Sequence, residues 1–240
     1  MSYAENPSRI GLGAAAAYAG VNERADFITK TYLHLAAAVA GFIALEAVLL
    51  NTPGIERLVE VMVTGKYAWL IVLGAFMGVA TLADYWARNA ASMVMQYAGL
   101  MLYVVAQAVI FVPMLYFVIW SGNGDLIPSA ALITGVLFVG LTAIVLFTRK
   151  DFSFLRGILM FSGFAALALI VVSILMGFNL GVWFMGAMIA LACGYILYDT
   201  SNVLHHYRIG QHVAAALALF AAVALLFWYV LQLLMSLRRD

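Results

Sequence analysis

The segment GYILYDTSNVLHH, Gly194 to His206, carries an apolar run into a carboxylate, Asp199, with Thr200, Ser201 and Asn202 directly behind it. A charged side chain at membrane depth costs about 3 kcal/mol on insertion scales, which makes any such residue a candidate for function. Asp199 stands near the C-terminal end of its run. There the helix dipole opposes a negative charge, and the apolar flank removes the water that would solvate it. A carboxyl held in this way can change protonation in a physiological range and move a helix end, which is the chemistry of a gate or sensor. The other reading of the same residues is a side chain just beyond the hydrocarbon that bonds to Thr200, Ser201 or Asn202 and stops the helix.

Few other residues compete. Asp84 follows a second apolar run heading to the same face as Asp199, and Asp151 lies in the short loop TRKDFSF, Thr148 to Phe154, on that face too, so three carboxylates gather there. Glu46 stands toward the far end of the first run, where it either lines a polar path or reaches the outer interface. His205 and His206 are adjacent, so on a helix they point in different directions and do not form a two-ligand metal site. With Tyr207 and Arg208 they read as a wet loop that can add pH sensitivity near Asp199. Enzyme signatures are absent or incomplete. FSGF, Phe161 to Phe164, lacks nucleophile-elbow spacing, there is no HExxH, and no lysine after Lys150 is present to carry a retinal Schiff base. The expectation is a non-enzyme without a cofactor.

The elements that position these groups follow from composition. Apolar residues make up 66% of the chain and charged residues 10%, against roughly a quarter charged in an ordinary soluble domain. This is the composition of an integral membrane protein. A net charge of +1 excludes the phosphate-neutralising field that nucleic-acid binding needs, and a single cysteine, Cys193, excludes a disulfide framework within one chain. A helix satisfies its own backbone in lipid and needs about 20 apolar residues to cross. Seven runs qualify, near Thr31–Leu50, Tyr67–Leu82, Ala91–Ile119, Ile127–Phe147, Leu155–Met176, Leu180–Tyr198 and His212–Leu237. The second and sixth are short, and Pro113 gives the long third run a cause to bend. GAFMG, Gly74 to Gly78, has the small-residue spacing that lets a helix backbone approach closely.

Residues 1–30 hold no short apolar region with a cleavage site and are expected to form an N-terminal tail, flexible or lying on the membrane, ahead of a seven-helix domain at 31–240. The tail face carries Arg9, Arg24, Lys30, Arg88, Arg149, Lys150, Arg156 and Arg208, and the other carries Arg57, Lys66, Arg238 and Arg239. The basic excess makes the tail face cytoplasmic. Arg238 and Arg239 oppose that orientation unless the last helix fails to cross completely.

TRKDFSFL, Thr148 to Leu155, followed by two apolar helices and ILYDTSNVLHH, resembles the Bax inhibitor-1, or transmembrane Bax inhibitor motif, family, and its bacterial members most closely. A weaker likeness in TKTYLHLAAAVAG, Thr29 to Gly41, extends the resemblance over most of the chain. It implies a seven-helix bundle with one helix enclosed by the others, in a bacterial inner membrane. It also implies a pH-sensitive calcium leak in which an acid ending the sixth helix shares protons with an acid on the seventh. Asp199 matches the first acid. The second has no match, because Ala222 or Tyr229 falls there and no Asp or Glu lies between Asp199 and Asp240. A lone carboxylate makes only a weak, transient calcium site, since calcium takes six to eight oxygen ligands. Asp84 or Asp151 could supply the absent partner in space, and Arg88 is the one candidate for the family's gating arginine. The DTSN ending further resembles the bacterial subgroup that associates with a membrane-bound ATP-dependent protease. An interaction protein modulating such a protease is therefore the alternative function.

Overall fold

A computed structural model of the chain describes residues 15–65, 67–89 and 91–239, so the part of the expected tail at 1–14 lies outside it. Within these residues the protein is built from α-helices: α1 (Val21–Leu50), α2 (Ile55–Val63), α3 (Ala68–Ala87), α4 (Met93–Trp120), α5 (Leu126–Thr148), α6 (Leu155–Met176), α7 (Gly181–His205) and α8 (His212–Arg239). Seven of them are long and apolar enough to cross a bilayer, as the sequence predicts. The eighth, α2, is a short amphipathic addition. It buries Ile55 and Met62 against α3 and α4 while Glu56, Arg57 and Glu60 stay exposed, the pattern of a helix lying at an interface.

The enclosed helix is α8. It packs on α1, α3, α4, α5 and α7, and the alanine-rich stretch from Val213 to Phe220 lets these neighbours close around it. In lipid, apolar burial adds little to helix association, so small side chains and close packing must hold the bundle. Aromatic edges complete the contact: Phe111 of α4 meets Phe42 of α1 at 5.2 Å and Trp228 of α8 at 4.8 Å between ring centroids. Pro113 stands inside the continuous helix α4 and is buried.

Several boundaries differ from the sequence reading, each for a physical reason. Helix α1 begins at Val21 rather than Thr31, because Phe27 and Thr31 already lie on the buried stripe that Leu35 and Ala38 continue. Ahead of it a 3-10 turn at Ala16–Tyr18 is strapped to the α7–α8 loop, with the Ala16 amide donating to the Tyr207 carbonyl at 2.8 Å. Helix α7 does not stop at Tyr198 but runs on through the polar DTSN residues to His205, since Thr200 and Ser201 are buried against other elements there. Helix α3 likewise continues past Asp84 to Ala87. The second and sixth spans are therefore of 20 and 25 residues and are not short.

The two glycines of GAFMG do not make the close approach. Gly74 and Gly78 are exposed, and a Cβ on either would meet nothing within 4 Å. The tight crossing is at Gly99 of α4, where a Cβ would stand 2.5 Å from the Ala83 carbonyl oxygen and 2.6 Å from the Ala87 amide. Finally, α8 is continuous to Arg239, and Arg238 reaches Asp125 ahead of α5 with Nη1–O distances of 2.6 and 2.8 Å. The last helix thus crosses the bundle completely.

Candidate functional site: a carboxylate cluster at the end of a cavity

A cavity of about 810 Å³ lies among α3, α4, α6, α7 and α8. Its wall is mostly apolar, and both charged residues in it are acids: Asp84 from the end of α3 and Asp199 from the last turns of α7. The extension of both helices past their apolar runs is what brings these side chains to one mouth. Asp84 takes a hydrogen bond from Arg88 Nε at 2.7 Å, one turn further along the same helix end. Asp199 accepts from the Asn202 side chain and interacts electrostatically with both Arg88 and Asp84. Of the two acids that the sequence offers as partners for Asp199, Asp84 is the one drawn into this group. Ala222 and Tyr229, the positions where the second family acid would fall, are buried on α8 and line the same cavity.

Arg88 ties the cluster together. Its bond to Asp84 outweighs the loss of water around it and keeps the guanidinium firmly protonated. It also bonds to the Tyr207 phenol. Burial pushes that phenol up to about 12, with Arg88 pulling the other way. Because the Tyr207 carbonyl holds the Ala16 amide, the strap ahead of α1 sits one residue from the same cluster. Sequence reasoning placed Tyr207 in a wet loop and missed this role, because nothing in its neighbours shows that the α7–α8 loop folds back over α3.

Asp151 serves a different junction. It accepts from the Ser153 amide at 2.8 Å, the Ser201 hydroxyl at 3.3 Å and His206 Nε2 at 3.1 Å. Ser201 in turn accepts from the Phe152 amide at 2.8 Å, so the α5–α6 loop is bound to the end of α7. These donors, the Ser153 amide foremost, hold Asp151 below the usual carboxylate range. His205 turns instead to the Ser201 carbonyl at 3.0 Å, so the two adjacent histidines have different partners.

Glu46 fits neither of its two sequence readings. It is 5% exposed rather than at the outer interface, and it is not part of the cavity wall. The cause is register, since Glu46 continues the buried stripe of α1 that packs on α4 and α8. Neither carboxyl oxygen has a hydrogen-bond partner among the described residues.

The cavity also exposes two polar groups of α4 that the sequence reading passed over, Tyr103 and Gln107, one turn apart on a single face. They are 9% and 7% exposed, and among the described residues neither side chain has a protein hydrogen-bond partner. A glutamine inside an apolar run is itself the signal that could have found the site. Among the described residues no group of three His, Cys, Asp or Glu side chains stands together.

Comparison with known proteins agrees with this architecture. The chain is 31% identical over 124 residues to Protein LIFEGUARD 3 of Arabidopsis thaliana, covering 49% of each chain. It is 32% identical over 129 residues to the Modulator of FtsH protease YccA of Escherichia coli, covering 53% of this chain and 58% of the relative. It is 32% identical over 123 residues to Bax inhibitor 1 of Schizosaccharomyces pombe, covering 49% of this chain and 45% of the relative. The chain thus spans about half the length of the curated relatives it matches. The family described as Inhibitor of apoptosis-promoting Bax1 matches residues 24–239, nearly the whole bundle, and the chain belongs to this Bax inhibitor-1 family.

Proposed function

We propose that this membrane protein is a non-enzymatic cation leak, with calcium as the expected cargo, whose closed and open arrangements are set by protonation at Asp199, beside Asp84 and Arg88. The observation that carries the reading is the meeting of two carboxylates and one guanidinium at the mouth of the cavity. Two carboxylates beside one guanidinium repel each other while both are drawn to it. Here the pair spans α3 and α7, which have no substantial contact with each other, so its charge bears directly on how far apart those helices stand. A proton on Asp199 removes the charge that draws Arg88 toward α7. The full chain in calcium-loaded liposomes is expected to pass calcium at a rate that changes between mildly acidic and neutral pH, and Asp199→Asn is expected to flatten that change. Absence of flux, or an unaltered pH response in the variant, overturns the proposal.

A second reading is favoured by the name of the Escherichia coli relative, a modulator of a protease. In it the chain modulates a membrane-bound ATP-dependent protease, with a cytoplasmic tail as the handle. The strap at Ala16 confines that handle to the residues ahead of it. Deleting residues 1–14 is expected to slow or alter turnover of the chain or of other substrates in cells. Unchanged turnover with no copurifying protease removes this reading and leaves the leak standing.

A further inference from the structure

The cavity has features that an inorganic ion path does not require. Its wall is largely hydrocarbon and aromatic, with Trp69, Phe76, Phe111 and Trp228 among the lining residues, and its volume of about 810 Å³ lies in the range of sites for drug-sized ligands. Both charged wall residues are acidic, while Arg88 reaches the acids from the helix end and is not part of the wall. Gln107 is more than nine-tenths buried, lines the cavity and finds no protein hydrogen-bond partner among the described residues. A buried amide left in that condition is costly unless a ligand or water meets it.

Access is lateral. Helix α3 packs on α2, α4 and α8, whereas α6 packs on α7, and no substantial contact joins α3 to α6 or α7. Helix packing therefore does not join the two walls of the cavity to each other. A ligand soluble in lipid can enter between them without crossing the charged mouth.

We propose that this cavity is a binding site for amphipathic organic cations, which enter from the bilayer, lay their apolar body on the aromatic wall and set their positive nitrogen against Asp84 and Asp199. The apolar body gains contact with the rings, and a cation beside aromatic faces gains further attraction. The acids supply selectivity for positive charge, and Gln107 offers both a donor and an acceptor to a polar substituent. Equilibrium binding of such a ligand needs no ion flux, so the site stands or falls independently of the leak.

The test uses the full chain in phosphatidylcholine nanodiscs with ethidium as the probe, followed by fluorescence anisotropy against protein-free nanodiscs. Saturable binding is expected, with displacement by tetraphenylphosphonium and not by the anionic dye anilinonaphthalene sulfonate. Asp84→Asn and Asp199→Asn are each expected to weaken binding about tenfold, the loss of one close charge pair. Gln107→Leu is expected to weaken it less, and Glu46→Gln, a buried acid outside the cavity, should leave it unchanged. The acid variants are compared only if they melt as the parent does, and Asp84→Asn stands in should Asp199→Asn fail to fold. Absence of a saturable component, equal affinity for the anionic dye, or undiminished binding by Asp84→Asn would each overturn the proposal. A chain that binds ethidium yet passes no calcium separates this site from the leak.

Discussion

Asp151 joins donors from the α5–α6 loop and the end of α7, so its charge has a readable effect on stability. The Ser153 amide, His206 and Ser153 hydroxyl hold its folded pKa below the value of an unfolded aspartate, about 3.9. A lowered folded pKa means that the native state binds the proton less well. The contribution is therefore fully present above about pH 4 and is lost as the pH falls through the lowered native value. Asp151→Asn is expected to lower stability at neutral pH by about 1 kcal/mol or less, because the side chain is 44% exposed and solvent screens it. Thermal melts in detergent should show a gap between parent and variant at about pH 5 that closes as the pH falls below about 4. A gap that widens in acid would contradict the assignment. At this scale the sequence reveals an acid at the end of an apolar run, which is why Asp199, Asp84 and Asp151 are legible in it. Their partners are not. Whether Asp151 meets Asp199 or His206 depends on how the α5–α6 loop closes over α7, and the register of Glu46 depends on which stripe of α1 turns inward.

Helix crossings show how spacing misleads without a face. Gly74 and Gly78 have the interval of a close-packing motif, but nine residues, about two and a half turns, separate Gly74 from Ala83, which puts the two on opposite sides of α3. The side that α4 meets carries Ala83 and Ala87, and the residue that lets it approach is Gly99 on the other helix. Adding a methyl at Gly99 drives it into backbone atoms of α3 that cannot step aside singly, so the helices must part. Gly99→Ala is expected to cost about 2–3 kcal/mol and to displace Asp84 and Arg88 at the end of α3. Gly74→Ala and Gly78→Ala, with open space around them, are expected within about 0.5 kcal/mol of the parent. Comparable melting for all three variants would show that α3 and α4 do not cross this way. Seven long helices are legible from hydropathy alone, whereas α2 is not, because nine residues fall short of a span and its amphipathic face shows only against α3 and α4.

Across the whole molecule, exposed aromatics and basic residues fix the membrane frame. Trp120, Trp183 and Tyr67 stand exposed at one end of the bundle, and Tyr85, Phe147 and Phe154 at the other, as aromatic belts do. The cavity between α3 and α6 was not legible in the sequence, because a lateral gap is a property of which helices fail to meet. An orientation is expected from charge. Arg24, Lys30, Arg88, Arg149, Lys150, Arg156 and Arg208 lie on the face where α1 starts, while Arg57 and Arg238 lie on the other. Helix α8, of 28 residues, rises about 42 Å and exceeds the roughly 30 Å of hydrocarbon, so Arg238 cannot be excused by an incomplete crossing. Its charge is instead matched by Asp125, which the guanidinium holds below the usual carboxylate range. Lys30 and Arg88 are paired as well, but Arg24, Arg149, Lys150, Arg156 and Arg208 make no ion pair among the described residues, so the start of α1 is expected to face the cytoplasm. In a Cys193→Ala background, a membrane-impermeant maleimide is expected to label Thr52→Cys in intact cells. Lys150→Cys should react only after the membrane is opened. Both positions are exposed and lie on opposite faces of the bundle, so labelling in the reverse order would invert the molecule and move the mouth at Asp84 and Asp199 to the outer side.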